Sequence, residues 1–344
     1  MTTLKDLSRH LGLSITQVSR ALNGYPDVSK KTRDRVMEAA DLLNYTPNIA
    51  ARNLVSGRSG VVGFISRNLP GIAKNTIFFE TVTGLSEAFS ARDVQFVLHL
   101  TPETDTGDII PVYDRLFRGG TLDGFVLVDP LPEDLRIQHL LTHKVPFVVH
   151  GRGEMEPPYP YVDVDNRGLA YRMASHLTAL GHRRIALISG PEPLAFCRFR
   201  LAGFRRALAE AGLEENPAHI RHGFMTEALG LTATIQMFGD PARAPTAIVC
   251  GNTLVSKGVY QALGSLSLRV PEDVSVIAHD DAILAASPES FAPALTVTRS
   301  PLADSWAPLA DTLIGAINRK PIGTLQKIIP FDFIERASTA PPPA

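Results

Sequence analysis

The chain has 344 residues, 44% of them hydrophobic and 20% charged, so it can bury a large core, and its formal net charge is only −1. No apolar run approaches a membrane span, no signal peptide precedes Thr3, and two cysteines, Cys197 and Cys250, make no disulfide framework, which fits a reducing cytosol. Charge is uneven: residues 1 to 60 carry nine Lys or Arg against five Asp or Glu, so a segment at +4 is joined to a remainder at −5.

The first elements are spelled out by their own capping signals. Thr3-x-x-Asp6 is a capping-box pattern, and Leu4, Leu7 and Leu11 follow on one helical face until Gly12 stops the helix. Ser14-x-x-Gln17 opens a second helix with Val18, Ala21 and Leu22 inward, ending at Asn23-Gly24. Gly12-Leu13-Ser14 makes the join a bend and not a hairpin. A third helix starts after Ser29, runs through Val36, Ala39, Ala40 and Leu43, and closes at Asn44. The predicted product is a small all-α helix-turn-helix headpiece. Its second helix exposes Thr16, Gln17, Ser19, Arg20 and Asn23, side chains of the lengths that reach base edges and phosphates in a major groove. A solvated charged face is the bland alternative for the basic residues, and the capping pattern argues against it.

Thr3-Leu4-Lys5-Asp6-Leu7, Gly12-Leu13-Ser14, Val18-Ser19-Arg20-Ala21-Leu22-Asn23-Gly24, Val28-Ser29, Thr32-Arg33 and Leu43-Asn44-Tyr45-Thr46-Pro47-Asn48 resemble the headpiece of the lactose-repressor (LacI) family. The resemblance implies DNA contacts from Thr3, Leu4 and Gln17, and base reading at Ile15, Thr16 and Arg20. The spacing of Ile15 to Val18 and Leu22 instead puts it on the core face; a thymine methyl is its partner if it reads a base. Ser19 and Asn23 are expected to hold phosphates, which fixes register without reading sequence.

Between Pro47 and Gly57, the run from Asn48 to Val55 is helix-like but only about two turns long, and isolated helices shorter than ~12–15 residues are marginal in water. The family resemblance supplies a partner: paired hinge helices from two subunits in the minor groove, with contacts from Asn48 and Ala51 and with Leu54 as the wedge between base steps. Without the headpiece, the same segment reads as a linker with one buried leucine.

About 280 residues follow, enough for about two domains. Apolar runs at 61–65, 96–98, 124–128, 146–149, 185–188, 247–249 and 274–277 alternate with helical stretches such as 84–89 and 201–208, which predicts parallel sheets covered on both faces. Ligands bind such sheets beyond the carboxyl ends of the strands. Those ends carry Asn75 to Phe79, Asp129, His150-Gly151-Arg152, Asn252 and His279-Asp280-Asp281. They contain no Ser-His-Asp elbow, no phosphate-cradling glycine motif and no His/Cys metal spacing. No enzyme activity, cofactor or metal is therefore expected; Asp280-Asp281 reads as a hydrogen-bonding pair, and His182 as structural.

Val164-Asp165-Asn166, Leu180-Gly181-His182-Arg183-Arg184-Ile185, Arg200-Leu201-Ala202-Gly203-Phe204 and Asp273 to Ile277 with Asp280-Asp281 extend the family resemblance over nearly the whole chain. It implies a periplasmic-binding-protein-like α/β core of two parallel-sheet subdomains, with Arg200, Asn252 and Asp280 on the effector and Phe78 and Phe79 beside it. Such groups suit a sugar: the guanidinium donates, the carboxylate accepts and the amide does both. The two Phe read equally as core. Two departures, Asn252-Thr253 in place of Asn-Asp and His150-Gly151-Arg152 in place of an aspartate, leave the effector open. The runs 146–152, 225–227 and 276–281 look most like the α-glucoside operon repressors, which suggests a disaccharide such as sucrose, trehalose or maltose.

The expected organisation is a helix-turn-helix domain over 1–47, a hinge over 48–60 and an effector and dimerisation core over 61–340. Within that core the N-subdomain takes 61–162 and 292–324, and the C-subdomain 163–291 and 325–337. Expected effector contacts are Phe78, Phe79, His150, Arg152, Asp165, Arg200, Met225, Asn252 and Asp280. Expected partners are pseudo-palindromic double-stranded operator DNA, a small sugar and a second copy of the chain in the cytoplasm, with no membrane. Three alternatives stand beside this reading: a nucleobase or phosphosugar effector, a sugar-binding protein without a DNA role, and a sugar-acting enzyme using Asp280 with Asp165. The Pro341-Pro342-Pro343 tail is expected to be disordered.

Overall fold

The computed structural model describes residues 2–22, 25–45, 58–67, 76–102 and 109–343. The chain divides into two units, Met1–Ser59 and Gly60–Ala344.

In the first unit, helices α1 (Leu4–Leu11), α2 (Ile15–Leu22) and α3 (Lys30–Leu42) follow the capping signals. The Asp6 amide donates to the Thr3 hydroxyl and the Thr3 amide donates back to the Asp6 carboxylate, at 3.3 and 3.0 Å. Ser14 and Gln17 repeat that reciprocal pattern at 3.2 and 3.1 Å. Gly12 ends α1 at φ 63°, a left-handed conformation that glycine adopts without strain. Leu7, Val18, Ala21, Val36, Ala39 and Ala40 form the buried core, with Leu4, Leu22 and Leu43 packed around it. Ile15 is not in that core and is 47% exposed. As the first residue of α2 its Cβ tilts toward the helix N-terminus and past the edge of a small core, which corrects the inward placement read from its spacing.

The second unit holds two six-stranded sheets. One has the order β11-β5-β4-β3-β1-β2, from β1 (Val61–Arg67), β2 (Gln95–Thr101), β3 (Gly124–Val128), β4 (Phe147–His150), β5 (Tyr161–Val164) and β11 (Gln326–Ile329). Its neighbours are all parallel. The other has the order β12-β10-β9-β8-β6-β7, from β6 (Ile185–Ser189), β7 (Ile220–His222), β8 (Ala247–Cys250), β9 (Ser275–Asp280), β10 (Thr296–Arg299) and β12 (Asp332–Ile334), with β10 and β12 antiparallel.

Helices α4 (Thr76–Ser90), α5 (Ile110–Arg118), α6 (Leu135–Thr142) and α11 (Trp306–Ile317) cover the first sheet. Helices α7 (Asn166–Ala179), α8 (Ala195–Glu210), α9 (Glu227–Met237) and α10 (Thr253–Ser265) cover the second. Successive residues of one strand serve opposite faces: Val126 packs with Leu85, Phe89 and Leu313, whereas Phe125 and Leu127 pack with Tyr113, Ile137 and Leu140. Burial on both faces is why these strands read as continuous apolar runs.

The chain passes between the sheets after β5, between β10 and α11, and between β11 and β12. The subdomain limits expected from sequence are corrected here: β10 was placed in the N-subdomain but pairs with β9, and β11 was placed in the C-subdomain but pairs with β5. The segment just before the Pro341-Pro342-Pro343 tail is bonded to the second sheet. The Ala340 amide donates to the Ser275 hydroxyl at 3.0 Å, and the Ala340 carbonyl lies 2.8 Å from Nε2 of the buried His182. Among the described residues, no helix is long and apolar enough to cross a membrane.

Candidate functional site

In the headpiece, Val18 and Ala21 bury the inner side of α2 and leave the opposite helix face outward. Thr3, Ile15, Thr16 and Gln17 are exposed, and Ser19 and Arg20 are half-buried. Leu4 is half-buried against the core. Gln17 spends its side-chain oxygen on the Ser14 amide, so its NH2 is the end left to donate. Arg20 pairs with Asp27 at 2.6 Å and lies over the Tyr25 ring. Asn23, Asn48, Ala51 and Leu54 lie outside the described residues.

In the second unit, the candidate effector residues gather where β4, β6, β8 and β9 end. Arg200 is buried on α8, which lies close against α7 because Gly203 has no side chain: a Cβ there would sit 2.0 Å from the Arg167 carbonyl oxygen. Arg200 Nε donates to Asn166 Oδ1 at 2.8 Å and Nη1 donates to the Gly251 carbonyl at 2.6 Å. Burial lowers its pKa from the ordinary arginine value, and Asp281, Cys197 and Asp163 oppose that shift. Asn252, fully buried, caps α10 by accepting the Val255 amide at 3.0 Å. Its Nδ2 has no hydrogen-bond partner among the described residues, an orphaned donor that calls for an acceptor.

The two adjacent carboxylates do different things. Asp280 is fully buried and spent: Oδ1 accepts the Ala282 amide at 2.8 Å and Oδ2 accepts Arg299 Nη1 at 2.7 Å. Asp281 lies 3.2 Å from His279 Nε2. Burial works against its charge, but His279, Arg200 and His150 outweigh that and hold the carboxyl below the usual value. Asp281, not Asp280, is thus the acid coupled to Arg200 and His150. His150 stands beside the Trp306 ring at 5.5 Å, and burial pushes its pKa down to about 4 against the pull of Asp281. Near neutrality it is an uncharged ring with one donor and one acceptor.

Phe78 is half-buried, 6.1 Å from Phe64 and 6.0 Å from Phe79, whose side chain is half exposed. Met225 is half-buried and reaches toward Gly251, where a Cβ would sit 2.8 Å from its sulfur.

Arg152 and Asp165 stand to one side of this group. They line a cavity of about 570 Å3 with Tyr159, Tyr161, Arg167 and Phe199. Arg152 lies 3.2 Å from Asp163 and packs over Phe199, while Asp165 caps α7 through the Gly168 amide at 3.0 Å. Asp163 connects cavity and cluster, because Asn166 donates to it at 3.0 Å while accepting from Arg200. Burial raises the Asp163 pKa to about 7 against Arg152 and Arg200. The expected effector contacts leave out Asp163, Asn166 and Asp281; an acid in the middle of an apolar strand, as in Tyr161-Val162-Asp163-Val164, is the signal that marks the first of them. The arrangement supplies hydrogen-bond donors and acceptors around a strand-end cluster and, among the described residues, no nucleophile paired with a base. No group of acids, histidines and cysteines suited to a metal occurs among the described residues.

Comparison with known proteins agrees with both units. A model of the bacterial regulatory proteins, lacI family, matches residues 3–48, and one of a periplasmic binding protein-like domain matches residues 174–339. The HTH-type transcriptional regulator AglR of Rhizobium meliloti (strain 1021) is 41% identical over 342 residues, 99% of this chain and 95% of that protein. A solved structure of a transcriptional regulator CelR-cellobiose complex is 28% identical with a TM-score of 0.70, covering 98% of this chain and all of that one. A Lac repressor dimer bound to operator and the anti-inducer ONPF, 24% identical with a TM-score of 0.76 over 98% of this chain and 99% of its own, shares the fold.

Proposed function

The chain belongs to the LacI family of DNA-binding transcriptional regulators, and we propose that it is a cytoplasmic repressor released from its operator by a small sugar of the α-glucoside type. The observation that carries the sugar reading is the buried pair at the strand ends. Arg200, anchored through Nε and Nη1, stands next to an Asn252 amide whose Nδ2 lacks a partner. Asp281 adds an acceptor, neutral His150 adds a donor and an acceptor, and Phe78 and Phe79 supply apolar faces. Sugar hydroxyls both donate and accept, so this mixed set suits them, and no lysine cluster for a phosphate is present at these strand ends among the described residues. The likeness to a regulator solved in complex with cellobiose supports a sugar as the ligand.

In this reading two chains pair, and two headpieces occupy the half-sites of a pseudo-palindrome. Ile15, Thr16 and Arg20 read bases, and Gln17, Ser19 and Asn23 hold the backbone. The hinge segments around 48–56 pair in the minor groove, with Leu54 as the wedge. Sugar bound between the two sheets changes their relative angle and favours the state in which the hinges cannot meet. Linkage makes this reciprocal: operator weakens sugar binding by the factor by which sugar weakens operator binding.

The test is a thermal-shift screen of the purified protein against maltose, sucrose, trehalose, phosphosugars and nucleobases. A ligand at a hundred times its Kd stabilises the folded state by about 2.7 kcal/mol, which such a screen resolves. The expected result is a rise for an α-glucoside that disappears in Arg200→Ala. No rise with any sugar, or a rise with nucleobases alone, would overturn the sugar assignment.

A further inference from the structure

Arg20, on the outward side of α2, is held in one orientation. Its Nε donates to Asp27 Oδ1 at 3.2 Å and its Nη2 lies 2.6 Å from Asp27 Oδ2, a side-on, two-point pairing. The guanidinium carbon sits 4.8 Å from the centre of the Tyr25 ring. Tyr25 and Asp27 are exposed residues of the segment leading to the α3 cap at Ser29, and neither belongs to the headpiece core. Exposed ion pairs contribute little to stability, so holding the fold together is a poor account of this arrangement.

Its geometric consequence is specific. A guanidinium presents two forks, one formed by Nε with a terminal nitrogen and one formed by the two terminal nitrogens. Asp27 occupies the first fork and Tyr25 packs against the face of the plane, which together restrict rotation of the group. The second fork keeps its parallel N–H bonds, one from Nη1 and one from Nη2. That fork matches N7 and O6 of guanine at the major-groove edge. A carboxylate so close to DNA also repels phosphate, so the arrangement exchanges non-specific affinity for selectivity.

We propose that Asp27, with Tyr25, is a specificity-determining positioning residue that aims the terminal fork of Arg20 at one guanine in each half-site. The proposal rests on Arg20 being a base-reading residue.

The test uses the full-length protein and its Arg20→Ala, Asp27→Ala, Asp27→Asn and Tyr25→Leu variants. Each selects duplexes from a random-sequence library, and base preference is tabulated at every position. Binding is then measured on the preferred duplex with guanine or 7-deazaguanine at the position that Arg20→Ala identifies. The expected result for Asp27→Ala is a loss of preference for that guanine of roughly fivefold or more. Preferences elsewhere persist, and affinity for random duplex is equal or tighter. Asp27→Asn, with one oxygen in place of two, falls between wild type and Asp27→Ala. Removing N7 weakens the wild type and leaves Asp27→Ala nearly unchanged, a non-additivity that a merely structural role does not produce. Guanine preference in Asp27→Ala equal to or stronger than wild type would make Asp27 a competitor for Arg20 and overturn the proposal. Preferences unchanged in Arg20→Ala would instead remove the base-reading role beneath it, a distinguishable failure.

Discussion

Asp280 and Arg299 are register partners on the adjacent strands β9 and β10, and the guanidinium donates to the fully buried carboxylate at 2.7 Å. That pairing divides two neighbouring acids into a structural one and one that faces Arg200. Asp280→Asn keeps an oxygen for the Ala282 amide but loses the charge-assisted bond to Arg299, at a cost of roughly 1–3 kcal/mol. Its sugar response should survive. Asp281→Asn should show the reverse, a small change in melting temperature and a large loss of the sugar-dependent shift. Melting curves with and without sugar on both variants decide it, and loss of response confined to Asp280→Asn would refute the division.

Arg200→Ala removes a buried guanidinium and leaves two acceptors, Asn166 Oδ1 and the Gly251 carbonyl, without their donor. Each buried group left unpaired costs about 1–3 kcal/mol, so the variant should melt earlier. Operator affinity measured below that melting point should be kept, and its response to sugar lost. Arg200→Lys retains charge but not the planar fork, so it should not restore the response.

The headpiece separates packing from recognition at two apolar residues. Leu7 is fully buried and Ile15 is 47% exposed. Leu7→Ala should cost ~2–5 kcal/mol and lower all DNA binding by unfolding the unit. Ile15→Ala should leave stability within about 0.5 kcal/mol, as surface substitutions do, while reducing preference for a thymine in the half-site. Circular-dichroism melts paired with operator titrations measure both quantities, and a cooperative loss of stability in Ile15→Ala would return that residue to the core.

What was legible in the sequence was local. The caps at Thr3, Ser14 and Ser29 are set by side chains within three residues of the groups they satisfy, and all three form as expected. Apolar runs such as 124–128 are visible because both faces of their strands are buried. Strands β10 and β11 were harder, because which sheet a strand joins depends on partners far away in the chain: Thr296 pairs with Ile277, and Gln326 with Tyr161. The same limit hid the difference between Asp280 and Asp281, since it lies in Arg299 on another strand. Ile15 marks a different limit, because helical periodicity says which side a residue faces and not where the core ends.

Asp163 supplies a pH test whose sign can be worked out. Burial raises its pKa from 3.8 to about 7, so the folded protein holds a proton there that the unfolded chain releases. The stability this contributes is fully present below pH ~4 and is lost as pH rises through about 7. At 1.36 kcal/mol per unit the loss is at most ~4 kcal/mol. His150 works the other way in part of the same range: its folded pKa is depressed to about 4, so its contribution is present above the ordinary histidine value and lost as pH falls toward 4. The wild-type curve alone therefore mixes opposing slopes. Asp163→Asn isolates one of them, since the amide oxygen can still accept from Asn166 and no charge appears at high pH. Denaturant melts from pH 4 to 8 should show Asp163→Asn gaining stability relative to wild type as pH rises, most steeply between the unfolded and folded pKa values and levelling off above about 7. A difference that is flat across that range, or that grows toward acid, would mean that Asp163 is ionised in the fold and fully neutralised by Arg152.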